Sequence, residues 1–387
     1  MNLTAQPRAN PMAAESYSAD DQQFMARALR LAERGRVSVA PNPVVGCVLV
    51  NDGAVVGEGW HRRAGEVHAE VAALTAAAER ARGATAYVTL EPCSHTGRTG
   101  PCADALIKAG VAEVVYASED PNPAVAGSGL VRLQAAGINV RGPLLEAQAR
   151  QLNRGFFKRH EQAEPWITIK TAMSLDGRTA MAGGQSQWIT SPAARADVQQ
   201  LRARSCAVVT GIGTVRYDDP AMTVRDVVAE DGMIRQPLRV VVDSQLQLCA
   251  DAALLKQLGP ILVATLRPAD QPEAMQLKAV KSDLEILTLT ADRSGRVDLA
   301  ALVSVLAERG CNELLIEAGA GLAGSFVGAG LVDELVCYVA PKLFGSDARP
   351  MFDLPVETID AHLALSMSDC RQIGEDLRLT FSPDKDY

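Results

Sequence analysis

Two series of short apolar runs alternate with segments of helical period along the 387 residues, and a basic, then polar stretch separates them. This alternation constrains the fold more than any single motif does. Strands that alternate with helices bury their apolar faces as layered α/β sheets. In the first series, residues 20–36 read as a helix with Phe24, Ala28 and Leu31 on one face and Asp20 or Asp21 as its cap. Residues 44–50 and 54–60 flank Asn51-Asp52-Gly53, a hairpin signature. A helix over 68–80, a strand over 84–90, a helix over 102–109, a strand over 113–117 and a helix over 130–136 follow. The stretch 156–165, with Phe157, Lys158, Arg159, His160, Glu161 and Gln162, reads as a linker. The second series opens at 166–170 and has strands over 207–210, 238–242, 261–264, 313–317 and 335–339. The expected organisation is a disordered extension over 1–19 and two domains over 20–160 and 161–387.

Composition narrows the class. Hydrophobic residues make up 48% and charged residues 22%, which supports a packed core and no long disordered tract. A net charge of −8 argues against a broad nucleic-acid or anionic-membrane surface, but leaves room for a small phosphorylated ligand. The first 20 residues hold Pro7, Pro11, Glu15 and Asp20 without an apolar run, so no signal peptide is expected. No run of about 18 apolar residues suggests a membrane span, and a cytoplasmic protein is expected. The eight cysteines do not form a disulfide scaffold in a chain of this length. Most of them, like Cys47 in Val-Val-Gly-Cys-Val-Leu-Val, read as small buried hydrophobes.

Cys93 and Cys102 are different. His68-Ala69-Glu70 opens a helix, and Glu91-Pro92-Cys93 ends a strand some two dozen residues on, with Cys102 after it. One imidazole and two thiolates suit Zn²⁺ and leave a fourth tetrahedral position for water, which the metal activates near neutral pH. Glu70 is placed to move protons without ligating the metal, as in the zinc nucleobase deaminases. Two helix N-termini at the metal would favour thiolate over thiol. Taken singly, His68 reads as a helix cap, Glu70 as a dipole partner and each cysteine as a buried hydrophobe. A closed structural zinc site with His95 as fourth ligand is the other reading of the set.

The second half carries Lys170-Thr171-Ala172-Met173-Ser174-Leu175-Asp176-Gly177-Arg178, Ser186-Gln187-Trp188-Ile189-Thr190, Leu201-Arg202 and Gly211-Ile212-Gly213-Thr214-Val215. Asp218-Asp219-Pro220 and Met222-Thr223-Val224-Arg225 follow, and Ile316-Glu317-Ala318-Gly319-Ala320-Gly321-Leu322-Ala323-Gly324-Ser325 lies near the end. The last block reads as strand, glycine turn and helix, where backbone N–H groups can meet a pyrophosphate. Gly319-x-Gly321-x-x-Gly324 matches the dinucleotide fingerprint by letter, but it comes late in the domain, so a Rossmann fold is not expected.

The segments Pro41-Asn42-Pro43-Val44-Val45-Gly46, His68-Ala69-Glu70 and 91–102 resemble the deaminase half of a bifunctional riboflavin-biosynthesis family. That family joins a diaminohydroxyphosphoribosylaminopyrimidine deaminase to a 5-amino-6-(5-phosphoribosylamino)uracil reductase. Cys93 and Cys102 have eight residues between them, as in this family, where generic cytidine and tRNA-adenosine deaminases have two. The order of the second set of blocks is similar to the reductase half, and the resemblance spans roughly residues 20–380.

The resemblance implies a cytidine-deaminase-like α/β/α sandwich followed by a dihydrofolate-reductase-like α/β domain. It implies Zn²⁺ on His68, Cys93 and Cys102, proton transfer by Glu70, and substrate contacts from Asn42, His61, His95 and Arg98. For the reductase it implies NADPH contacts from Ala172, Trp188, Thr214, Asp218, Ser244 and Gly319, Ala320, Gly321, Leu322, Ala323, Gly324 and Ser325. Substrate would meet Ser186, Arg202, Met222, Arg225 and Glu317, the two arginines matching a ribose phosphate. The expected partners are small phosphorylated pyrimidines, with neither nucleic acid nor membrane, and members of the family associate, so a homo-oligomer is expected.

The competing readings are a nucleic-acid base deaminase with an accessory domain and a non-catalytic zinc- or nucleotide-binding regulator. Acidic charge, the wide cysteine spacing and the second motif series count against the first. The intact Glu70 counts against the second.

Overall fold

The computed structural model describes residues 17–94, 100–123, 125–230 and 232–384. Most of the extension expected over 1–19 therefore lies outside the described residues.

The N-terminal half comprises α1 (Ala19–Glu33), β1 (Gly46–Asn51), β2 (Ala54–Trp60), α2 (Ala69–Ala77), β3 (Thr85–Val88), α3 (Cys102–Ala109), β4 (Glu113–Tyr116), α4 (Ser128–Ala135), β5 (Asn139–Arg141), α5 (Glu146–Leu152) and α6 (Arg154–Gln162). Its sheet runs β2-β1-β3-β4-β5, antiparallel around β1 and parallel from β3 to β5. Ala69, Ala73, Ala103, Leu106 and Leu133 cover one face, and Met25, Ala28, Leu31, Leu144 and Ala149 cover the other. This is the expected α/β/α sandwich. The cap of α1 is Ser18, one turn before Asp21, and not either aspartate. Asp21 reciprocates, its carboxylate accepting the Ser18 amide at 2.9 Å, so the two form a capping box.

Alanines and glycines let α2 lie close on β2. A Cβ at Gly57 would stand 2.3 Å from the Ala73 carbonyl oxygen, and one at Gly59 would stand 2.4 Å from that of Ala69. That close approach fixes the start of α2, and with it His68, against the sheet edge.

The stretch read as a linker is helix α6, and the expected boundary at 160/161 falls inside it. Arg154 and Lys158 are buried in it because carboxylates of the other half meet them. Arg154 donates two bonds to Glu334, at 2.5 and 2.9 Å, and Lys158 donates one to Asp333 at 2.7 Å. Phe156 and Phe157 pack with Leu90 on the other side of the helix. A charge-rich segment thus serves as a junction because its partners come from 175 and 180 residues downstream.

The C-terminal half comprises β6 (Trp166–Ser174), β7 (Arg178–Ala180), α7 (Pro192–Arg204), β8 (Ala207–Gly211), α8 (Ile212–Asp218), β9 (Leu238–Val242), β10 (Ile261–Thr265), α9 (Pro272–Val280), β11 (Leu284–Thr288), α10 (Leu299–Glu308), β12 (Glu313–Ile316), α11 (Ala320–Gly328), β13 (Glu334–Ala340), β14 (Arg349–Pro350), β15 (Leu365–Ile373) and β16 (Asp376–Pro383). The main sheet runs β11-β10-β9-β8-β12-β6-β13-β16-β15. It is parallel from β11 to β13, and β16 and β15 add an antiparallel edge. The chain lays β8 to β11 outward, then returns to insert β12 between β8 and β6. Crevices at such a reversal, beyond the carboxyl ends of the strands, are where open α/β sheets bind ligands.

Among the described residues no helix is long and apolar enough to cross a membrane. Cys47, Cys311 and Cys337 are buried as expected, whereas Cys249 and Cys370 are exposed.

Candidate active sites

At the first site, α2 and α3 present their N-termini to each other. His68 is the N-cap of α2, and Cys102 is the first residue of α3. Cys93 follows β3 on a loop. The donor atoms of His68, Cys93 and Cys102 all lie within 4.8 Å of one another. His68 Nδ1 is 3.2 Å from Cys102 Sγ and 3.6 Å from Cys93 Sγ. A tetrahedral zinc with bonds of about 2.0–2.3 Å spaces its donors roughly 3.3–3.8 Å apart, so the triad fits the ion.

The charge pattern agrees. The Cys102 thiol, its backbone amide at 3.4 Å and the His68 ring stabilise a thiolate on Cys93, whose thiol falls to about 4. Its neighbour Cys102 is pushed up in turn by Cys93 and by burial. Two thiolates side by side need a cation's charge, which is what this donor set offers a site to hold.

Glu70 stands in the first turn of α2 and is buried. Burial, then the charge of Cys93, push its carboxyl up to about 7. A carboxyl near neutrality can both accept and return a proton. His61 lies edge-on to His68, with ring centroids 5.0 Å apart. Its Nδ1 donates to the Val67 carbonyl at 3.1 Å, and its Nε2 accepts from the Asn42 amide at 3.0 Å. Burial lowers the His61 ring to about 4, so it is neutral with one fixed tautomer. His95 and Arg98 lie outside the described residues.

The sequence reading passed over Glu91. Its buried carboxylate accepts the backbone N–H groups of Asp120, at 3.2 Å, and of Gly127 and Gly129, both at 2.9 Å. It ties the loop after β4 to the strand end that carries Cys93. A carboxylate directly before Pro92-Cys93, at the end of a run with no other charge, was the available signal.

The second site is a cavity of ~540 Å³ beyond the carboxyl ends of β6, β8 and β12. Of the expected residues, Ala172, Ser186, Trp188, Arg202, Thr214, Asp218, Met222, Glu317, Gly319, Ala320, Gly321 and Leu322 line it. A smaller cavity of ~270 Å³ shares the walls at Gly211, Gly213, Gly321 and Leu322 and takes in Ser244 and Ser325. Ala323 and Gly324 face inward instead: Ala323 is fully buried, and a Cβ at Gly324 would meet the Asp353 carbonyl oxygen at 2.3 Å. The third glycine of the letter pattern thus serves packing. Arg225 is exposed and lines neither cavity, with its amide bonded to Gln199.

Within the larger cavity Arg202 forks onto Glu317, at 2.5 and 2.9 Å, and also donates to the Thr223 carbonyl at 3.0 Å. Most of its guanidinium is therefore already committed. Burial raises the Glu317 carboxyl, but Arg202 and Lys170 outweigh that and hold it below the usual range. Burial pushes the Lys170 ammonium down from its usual value, against the pull of Glu317. Ser186 donates to Asp218 at 2.6 Å, and the Gly319 amide donates to Thr214 at 3.2 Å. Arg195 stacks over Trp188, and Arg349 stacks over Tyr217. Lys170, Arg195, Tyr217 and Arg349 were not singled out from the sequence. Lys170 alone gave a signal, as the one charged residue inside its strand.

The walls fit a dinucleotide. The larger cavity falls in the size range of ligand sites, and the smaller one adjoins it across the shared glycine walls. Gly213 and Gly321 have open space where a Cβ would stand, so a ligand can approach the backbone. Thr210 Oγ1 is buried on the cavity wall with no hydrogen-bond partner among the described residues.

Both halves of the chain match known proteins. Residues 18–118 match the model of the cytidine and deoxycytidylate deaminase zinc-binding region, and residues 165–379 match the RibD C-terminal domain. The chain is 49% identical over 370 residues to the riboflavin biosynthesis protein RibD of Escherichia coli (strain K12), covering 93% of this chain and 98% of that one. It is 46% identical to the RibD of Haemophilus influenzae, over 95% and 98% of the two chains. The solved structure of Acinetobacter baumannii RibD superposes with a TM-score of 0.87 at 44% identity, over 95% of this chain and 99% of that one. A deaminase/reductase from Thermotoga maritima superposes at 0.82 with 30% identity, over 94% and 99%. The chain therefore belongs to the RibD family, the bifunctional riboflavin-biosynthesis proteins in which a zinc-dependent deaminase and an NADPH-dependent reductase share one polypeptide.

Proposed function

We propose that the two sites act in sequence on one phosphorylated scaffold. The first hydrolyses the 2-amino group of 2,5-diamino-6-(5-phosphoribosylamino)pyrimidin-4(3H)-one and releases ammonia. The second uses NADPH to reduce the ribosyl group of 5-amino-6-(5-phosphoribosylamino)uracil to a ribityl chain. The observation that carries this reading is the convergence of His68, Cys93 and Cys102 beside buried Glu70, in a chain that also holds a dinucleotide-sized crevice.

His68, Cys93 and Cys102 would hold zinc, which when bound supplies the Lewis acidity that makes water a nucleophile at neutral pH. Glu70 takes the proton from the attacking water and delivers protons to the ring nitrogen and the departing ammonia. Asn42 and His61 meet the pyrimidine as one hydrogen-bonded unit, with His95 and Arg98 assigned beside them from the resemblance. In the reductase site, Ala172, Trp188, Thr214, Asp218 and the turn from Gly319 to Leu322 hold NADPH, with Ser244 and Ser325 at the smaller cavity. NADPH when bound supplies the hydride. Ser186, Met222 and the Arg202–Glu317 pair place the sugar, and Arg202 acts through that pair more than as a free phosphate clamp. Arg225 completes the phosphate contacts only if its loop moves toward the cavity.

The reading includes a cytoplasmic homo-oligomer. Its test is to supply purified protein with each substrate separately and to identify the products by mass. Ammonia and the aminouracil from the first, and a ribityl product with NADPH consumption from the second, support it. Absence of both with zinc-loaded, folded protein refutes it.

A further inference from the structure

Asn42 and its neighbours sit on a segment that the N-terminal half cannot hold by backbone pairing alone. Pro41 and Pro43 carry no N–H, so no ladder can run through them. The Asn42 amide donates to the Val39 carbonyl at 3.0 Å, and side-chain amides hold the residues on either side of it. The Val44 amide donates to Asn153 Oδ1 at 2.8 Å, and Asn153 Nδ2 donates to the Val44 carbonyl at 2.9 Å. Three residues earlier, the Pro41 carbonyl accepts from Asn312 Nδ2 at 2.5 Å. Asn312 belongs to the C-terminal half and directly precedes β12, the strand that leads to Glu317.

Asn312 is buried and fixed from several sides. Its Oδ1 accepts from Arg159 Nε at 2.6 Å, its amide donates to Cys206 Sγ at 3.2 Å, and its carbonyl accepts from the Trp166 amide at 2.8 Å. Gly155 passes so close that a Cβ there would stand 2.3 Å from the Asn312 carbonyl oxygen. A side chain held this way offers Pro41 a donor in one place. From Pro41 the contacts run on through Asn42 to His61, and from His61 to Val67, the residue before His68.

We propose that Asn312 is a positioning residue for deamination: a side chain of the reductase half sets where Asn42 stands, and through Asn42 the His61 ring. This rests on the reading that Asn42 meets the pyrimidine. It gives the fusion a structural consequence, since the docked reductase completes the support of the deaminase substrate segment.

The test is the steady-state kinetics of full-length Asn312→Asp, Asn42→Ala and the double variant, in both reactions. Aspartate at 312 still accepts from Arg159 but has no N–H for Pro41. Asn312→Asp is expected to raise the deamination KM roughly three- to tenfold, with kcat and both reductase constants little changed. It should add nothing further in the Asn42→Ala background, because a residue acting through Asn42 has no route left. An unchanged deamination KM, or the same added increase with Asn42 already removed, overturns the proposal. If Asn42→Ala itself leaves KM unchanged, the Asn42 reading fails and the proposal falls with it. Asn312→Ala introduces no buried charge and carries the same test should the Asp variant not fold.

Discussion

The two sites are built in opposite ways. The deaminase centre draws His68, Glu70, Cys93 and Cys102 from a short span of chain and buries them where two helix starts meet. The reductase crevice is assembled from residues between Lys170 and Met351, on strand ends and loops around a reversal in strand order. On the proposed reading, chemistry in the first resides in a few side chains and loss of any one of them should be critical. In the second, shape is shared among many residues, and single groups matter through their pairings.

The largest contrast is expected at Glu70. Glu70→Gln should lower deamination by a factor on the order of 10² to 10⁴ while zinc content stays the same, because a proton carrier is lost and no ligand is. Reduction of pre-deaminated substrate should be unaffected, and a parallel loss of both activities would break the comparison. In the crevice, Arg202→Ala should act through stability as much as through kinetics. It leaves the partly buried Glu317 carboxylate with Lys170, 4.0 Å away, as its remaining ion-pair partner, and should cost the reductase half about 3 kcal/mol, measured by denaturant unfolding. Deamination in folded protein should persist.

A subtler prediction concerns the scaffold beneath the zinc triad. Gly59→Ala places a Cβ 2.4 Å from the Ala69 carbonyl oxygen and should push α2, with His68, off the sheet. The expected cost is about 1–3 kcal/mol, together with weaker zinc retention and unchanged NADPH oxidation. Zinc affinity equal to the parent's would show that the close approach does not position the ligand.

The smallest effect is in acid. Burial disfavours the Asp21 carboxylate, but hydrogen bonds from Tyr87, Ser18 and Arg141 outweigh that and set it at about 2. A carboxyl lowered on folding stabilises the native state above its unfolded value of about 4, and that stability is lost as pH falls toward 2. Asp21→Asn should therefore flatten the acid limb of thermal stability between about pH 4 and 2. An unchanged limb would remove Asp21 from the account.

The contrast between the sites also governs what could be read from the chain. His-x-Glu and Pro-Cys are local patterns whose donors the fold brings together, so the zinc triad was legible directly. The strands at 54–60 and 238–242 and the helix at 102–109 were legible from period and turn residues. Helix α6 was not, because Arg154 and Lys158 look solvated until Glu334 and Asp333 arrive from the far end of the chain. The crevice was legible only as an ordered set of blocks. Letter patterns could not tell that Gly324 packs on Asp353 while Gly321 faces the cavity, or that Glu317 already occupies Arg202. Arg195 and Arg349 carry no local pattern and reach the wall only through the sheet's topology.

The central claim is that one chain carries two independent chemistries, and zinc removal tests it most directly. Ammonia release from the diaminopyrimidine and NADPH oxidation with the aminouracil are followed on the same preparation before and after chelation. The account predicts that chelation abolishes ammonia release, that added zinc restores it, and that NADPH oxidation continues throughout. Ammonia release that survives complete zinc removal, or NADPH oxidation that disappears with it, would contradict the account.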